Sequence, residues 1–203
     1  MTRASAYKTA YILFMIMIFG AALIVGMSTR QLVIPVLILI VVTVFPGMIQ
    51  GFFWHEFFLG RRLLKKGQWK DALEQFDKFI ARIKEKPSLK RMMWLRWSSF
   101  THDVEAMALS NKGVAFVNMG EIDRAEECFE LALEKDHTYP TPHFNLSLLE
   151  MVKDNEESAR KRFQKARELG YAKVEFTQVR NLAKRIKSEL EKKDESKEEN
   201  NIV

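Results

Sequence analysis

The sequence predicts an all-α protein: an N-terminal transmembrane helical hairpin, then a short α-solenoid of about three helix-turn-helix repeats closed by a capping helix. Three observations lead there. Two long runs near the N terminus are apolar and uncharged, and a small-residue and Phe spacing recurs three times in the remainder. Residues 1–55 contain no Asp or Glu, so all 26 acidic residues and 29 of the 32 Lys and Arg fall in the other 148 positions. The mean hydropathy of -0.17 averages over an apolar head and a charged body. A body of 148 residues suits one compact domain and is short for a multi-domain enzyme. Cys128 is the one cysteine, so neither an intramolecular disulfide nor a thiol cluster for zinc or iron-sulfur is open to the chain, and a reducing compartment follows. About half of the net charge of +6 lies beside the apolar head, which fits attraction to a membrane surface better than binding of nucleic acid.

Residues 1–9 read as a short cytoplasmic N terminus. Positions 10–27 form an uncharged run of 18 residues, enough to cross a bilayer with local thinning. After a short turn, 32–53 form a second run of 22 residues in which Gln50 is the strongly polar side chain. A cleaved signal peptide is the competing reading of the first run. It is disfavoured by the run's length, by the lack of an A-x-A site and by the second run, which would still hold the product in the membrane. Arg3 and Lys8 precede the pair and Arg61, Arg62, Lys65, Lys66 and Lys70 follow it, against Arg30 in the turn, so both termini are expected in the cytoplasm. The pairs Ala22/Gly26 and Gly47/Gly51 carry the small-x-x-x-small spacing of closely packed helices. They would pack the two spans together or, alternatively, form a homodimer or dock another membrane protein. Pro46 should kink the second span, whereas Pro35 lies in its tolerated first turn.

The body repeats. Gly60, Ala72 and Phe76 stand at the same spacing as Gly113, Ala125 and Phe129, and as Ser147, Ala159 and Phe163. The second and third sets are 34 residues apart; the first and second are separated by that period plus an insertion of 19. Gly67 and Gly120 sit five positions before the alanine, where two helices must turn, and Phe79, Ala132 and Ala166 sit seven after it. In each unit the small residue lets helix backbones touch and the Phe fills the groove between hairpins.

This pattern resembles the tetratricopeptide repeat family over 53–86, 106–139 and 140–173, with 87–105 as the insertion. The sequence departs from the family at Ser147 and Asp154, which replace glycines, at Glu150 in an aromatic position, and at Lys84, His137 and Tyr171 in place of a closing proline. A solenoid needs a terminal helix with a polar outer face. Residues 174–190 supply one, with Val174, Phe176, Val179, Leu182, Ile186 and Leu190 near helical period, and 191–203 read as a disordered charged tail.

The resemblance implies a concave groove, lined by the first helix of each hairpin, that binds a peptide or protein. Its lining would include Arg61, Lys65, Ser110, Val114, Val117, Asn118, Phe144, Leu148 and Met151. Asn111 and Asn145 match positions from which the family bonds a ligand backbone, a task suited to an amide that both donates and accepts. Phe57, Thr141 and Asn145 occupy places where a clamp for a terminal carboxylate needs other residues, so that clamp is not expected. The groove begins basic and becomes apolar, which suits a ligand with an acidic end.

The insertion carries Lys90, Arg91, Met92, Met93, Trp94, Leu95, Arg96, Trp97 and Phe100, readable as cover for the solenoid core or as an interfacial element. Phe52, Phe53, Trp54, Phe57 and Phe58 suggest an aromatic belt at headgroup level, with the second span running almost straight into the first repeat. His55, His102, His137 and His143 are dispersed. No phosphate loop, metalloprotease box or nucleophile elbow occurs, so no enzyme, metal or cofactor is expected. The reading is a membrane-anchored adaptor whose groove gathers a membrane-bound or membrane-proximal protein, with contact to the lipid bilayer and none to nucleic acid. A structural subunit or assembly factor held mainly through the hairpin is the alternative.

Overall fold

A computed structural model describes residues 3–29, 33, 35–37, 40–41, 48, 51–90, 101, 103–171 and 174–201. Among them lie α1 (Arg3–Thr29), α2 (His55–Lys65), α3 (Trp69–Glu85), α4 (Val104–Met119), α5 (Ile122–Lys135), α6 (Pro140–Val152), α7 (Glu156–Glu168) and α8 (Phe176–Asn201). No strand occurs among the described residues, and the arrangement is consistent with an α-solenoid.

The transmembrane hairpin is not supported. Among the described residues no helix is long and apolar enough to cross a membrane. Most of 32–53, including Pro46 and Gly47, lies outside the described residues. The integral-membrane location and the placing of both termini in the cytoplasm fall with the spans they presuppose. In α1, Ala22 and Gly26 are buried while Leu13, Ile16, Met17, Ile24 and Met27 are exposed. Gly51 is exposed with open space around it.

The aromatic belt is also corrected. Trp54 and Phe57 are fully buried in the first repeat, where the Trp54 and Phe79 rings meet edge to face at 5.9 Å and Phe57 reaches Phe76 at 6.0 Å. Their spacing of three puts them on the core face of one turn, and Phe52 remains exposed. The helix is also interrupted at the junction. Residues 51–53 are helical, Trp54 interrupts at φ -112 and ψ 27, and α2 restarts at His55.

Three hairpins then follow, each closed by the same local motif. The amide of Gln68 donates to Leu63 O at 3.0 Å, that of Glu121 to Phe116 O at 2.9 Å and that of Asn155 to Glu150 O at 2.8 Å. The residue before each donor has positive φ: Gly67 at 75°, Gly120 at 87° and Asp154 at 59°. This is a Schellman closure, which satisfies carbonyls that the ending helix leaves unpaired. Asp154 keeps the geometry because Asp enters the left-handed region more readily than bulkier residues.

Phe76 packs against Gly60 so closely that a Cβ there would stand 2.8 Å from the ring. Ser147, in the corresponding place of the third hairpin, is fully buried and its hydroxyl donates to Phe144 O at 2.8 Å. A small side chain that satisfies itself locally thus replaces the glycine.

Between repeats, α2 touches α4 and α4 touches α6, whereas the second helices of successive hairpins stay farther from one another. The first helices therefore line the inner face of the superhelix. Asp103 caps α4 by accepting from Ala106 N at 2.9 Å. Of the insertion, 87–90 form a 3₁₀ turn and 91–100 lie outside the described residues. The last helix differs from the sequence reading at both ends of its pattern. It continues to Asn201, beyond the expected stop at 190, and it buries Ala183 while Leu182 is exposed.

Candidate functional site

The expected lining residues on α2, α4 and α6 differ in access. Lys65 is exposed and Arg61 half-buried, its guanidinium 6.0 Å from the centre of the Phe57 ring. Neither forms an ion pair with a described residue, and the same holds for Arg62, Lys66 and Lys70. The later repeats contrast with this. Lys112 pairs with Asp77, Arg124 with Glu121, Lys153 with Glu126 and Arg162 with Glu130. These five cations of the first hairpin are thus not compensated by described residues.

The asparagines divide by the state of their amides. Asn111 donates from Nδ2 to Met107 O at 2.6 Å, and Asn118 from Nδ2 to Val114 O at 2.8 Å. Each has its donor engaged by its own helix and keeps an acceptor oxygen. In Asn145 the Nδ2 is buried and has no hydrogen-bond partner. A buried donor left unmade is costly, and Trp54 Nε1, Glu56 Oε2 and His143 Nδ1 are buried without a partner in the same way.

Two expected lining residues are closed off. Ser110 is 2% exposed, because α4 is buried on every side from Val104 to Ser110. Phe144 is 6% exposed and stacks on Tyr171 with ring centroids 4.4 Å apart. Phe144 also joins Phe163, Ala166 and Val179 in one cluster, against which Leu148 and Met151 pack. Val114 packs partly into the preceding cluster around Phe129. Among the residues of the repeat signature, Ala72, Phe76, Ala125, Phe129, Ala159 and Phe163 are buried, as are Gly60 and Gly113.

Sequence reasoning missed a buried polar junction between the first two repeats. Glu105 is 4% exposed and accepts from Lys90 Nζ at 2.8 Å, while Lys135 Nζ stands 3.2 Å away. Burial pushes its carboxyl up, but the hydrogen bonds and charges of the two ammoniums outweigh burial and hold it below the ordinary carboxylate value. Next to it Asp136 accepts from the hydroxyl of Thr101 and, at 3.0 Å, from the Thr138 amide. The three charged partners are 15 to 45 positions apart in sequence, so no local pattern announces the junction.

His143 lies in the first turn of α6 with Nε2 3.3 Å from His137 O and Nδ1 buried without a partner. Burial lowers its pKa below the ordinary value of 6.5, the His137 carbonyl opposes, and Arg162 and Lys165 lower it further. Burial also raises the Cys128 thiol above its ordinary value, which favours the protonated form. Among the described residues no group of three or more His, Cys, Asp or Glu side chains converges on a metal position. An open cleft of about 680 Å³ lies between α7 and the start of α8, lined by Arg160, Phe163, Gln164, Arg167, Glu168 and Phe176.

No curated protein and no solved structure matches this chain. The family model of the tetratricopeptide repeat matches residues 106–139, which are α4, α5 and their flanks. Repeats of that kind bind protein partners and are typically non-catalytic. Residues 106–139 of this chain are a tetratricopeptide repeat.

Proposed function

We propose that this protein is a non-catalytic adaptor that captures a segment of a partner protein on the inner face of α2 and α4, with acidic residues of the segment against Arg61 and Lys65. The observation that carries the reading is the contrast in charge pairing. Lys112, Arg124, Lys153 and Arg162 each face a carboxylate, as do Lys78 and Arg82 in the first repeat, whereas Arg61, Arg62, Lys65, Lys66 and Lys70 are not matched by described residues. Unmatched charge at one end of a groove selects the opposite charge in a ligand and speeds its approach. Beyond that end Val114 and Val117 offer half-buried apolar contact, and Asn111 and Asn118 offer acceptor oxygens to a backbone.

The test is fluorescence anisotropy with labelled peptides that carry an acidic cluster beside an apolar stretch, against the same peptides with the acids neutralised. Arg61→Glu with Lys65→Glu should weaken capture about tenfold or more at low salt, while an Arg185→Glu control on α8 leaves it unchanged. Equal affinity for acidic and neutralised peptides would remove the electrostatic reading. The assembly-factor alternative depended on the hairpin as the main contact, and the structure gives it no footing.

A further inference from the structure

The geometry points to α8 as a reversible intramolecular occupant of the third-repeat end of the groove, a place that a helix of the same pattern from a partner can take. The inference rests on the reading of the inner face as a partner-binding groove. A helix that merely capped the last hairpin would stop at α6 and α7. α8 covers both, with Phe176 against Phe163 and Val179 among Phe144 and Ala166, and then continues toward the end of α4. Its path is marked by contacts. Val179 enters the cluster of Phe144, Phe163 and Ala166. Farther along, Lys187 Nζ is 2.6 Å from Asp154 Oδ2. Leu190 Cδ2 lies 3.0 Å from where a Cβ on Gly120 would stand, and Lys193 Nζ donates to Asn118 O at 2.6 Å, a bond closed across 75 positions.

The docked face is a thin seam. Phe176, Val179, Ala183, Ile186 and Leu190 recur every three or four residues, the spacing of one helix lying along another. Along the seam Arg180, Lys187 and Lys193 are clasped by Glu156, Asp154 and the Asn118 carbonyl, at the two inter-helix turns. The two ion pairs are half-exposed, so each contributes little and salt screens it. While α8 is docked, Phe144 is covered and Leu148 and Met151 are packed against the same cluster. A segment filling the whole groove must therefore displace α8. Its chemistry follows from the two ends: acidic against Arg61 and Lys65, and apolar with flanking cations where it meets Asp154 and Glu156.

The experiment uses the full chain and a fluorescein-labelled peptide of residues 174–201 as probe. In Arg180→Glu with Lys187→Glu the resident helix is loosened while the groove residues are native, and this variant should bind the probe about tenfold more tightly than the wild type does. A second measurement needs no substitution. Amides of α8 in the wild-type chain should exchange about fivefold faster in roughly 0.5 M than in 0.05 M NaCl, with those of α3 and α5 unchanged. Equal probe binding by both chains, or salt-independent α8 protection matching that of α3, would overturn the inference. The probe comes from the chain itself, so a failure of acidic-peptide capture and a failure of helix exchange are read separately.

Discussion

The ring of Phe129 occupies the space in which a side chain on Gly113 would begin. That contact joins α4 to α5 inside the matched repeat and leaves no slack on either side, since Phe129 is fully buried. Alanine is the better helix former by about 0.8 to 1 kcal/mol, yet Gly113→Ala should destabilise by about 1 to 3 kcal/mol because the ring must move out of a filled core. Urea denaturation checks this, and a stabilised variant would show that the helices can part. Phe129→Ala removes the other half of the contact and should cost about 3 to 5 kcal/mol.

The turn positions separate backbone strain from side-chain contact. Gly120→Ala places a side chain at φ 87° and against Leu190, so its melting temperature should fall and α8 should lose protection in hydrogen exchange. Asp154→Gly relieves a non-glycine residue at φ 59° while removing the exposed pair with Lys187. These two effects oppose each other at about 1 kcal/mol or less each, so stability should stay within about 0.5 kcal/mol of wild type.

Asn145 offers a distinction between folding and binding. Its Nδ2 makes no hydrogen bond, so Asn145→Leu loses none and should leave stability near or above wild type. If that nitrogen serves a ligand backbone, peptide capture in the anisotropy assay should nonetheless weaken about tenfold. Unchanged capture would take Asn145 out of the site.

Stability should depend on pH through two groups with separate windows. The folded-state pKa of His143 is lowered from 6.5, so the neutral ring is favoured in the fold; its contribution is fully present above pH 6.5 and is lost as pH falls through the lowered value. The Glu105 carboxyl is lowered from 4.5, so its contribution is present above pH 4.5 and is lost at still more acid pH. His143→Gln should flatten the first limb of a stability profile and leave the second. Glu105→Gln should flatten the second and also destabilise at neutral pH by about 1 kcal/mol, a modest loss because the Lys90 and Lys135 ammoniums it leaves behind are partly exposed to water.

The repeats were legible because their grammar is local: a small residue, a turn residue and a Phe at fixed spacing, each acting on the neighbouring helix. Even Asp154, which breaks the glycine pattern, kept its register and its left-handed turn. Trp54 and Phe57 were misread for the opposite reason. Their sequence neighbours are apolar and cationic, and the core that buries them comes from Phe76 and Phe79, a full helix later. The apolar character of 10–27 was equally plain, but a membrane crossing does not follow from the described helix. Among the expected lining residues Arg61 and Lys65 are accessible, whereas Ser110 and Phe144 are closed off by elements remote in sequence. Residues 191–201 looked like solvated tail because they carry no apolar residue, and the contact that returns them to the body is a lysine, Lys193, bonded to the Asn118 carbonyl.

That last bond changes how the solenoid should come apart. Stacked hairpins held by nearest neighbours can unravel one at a time from an end. Lys193 ties the final helix to the close of α4, one hairpin farther back than its nearest neighbour. While α8 is docked it therefore spans the second and third hairpins, and its release, opposed at this end by a bond of about 1 kcal/mol, should precede fraying of either.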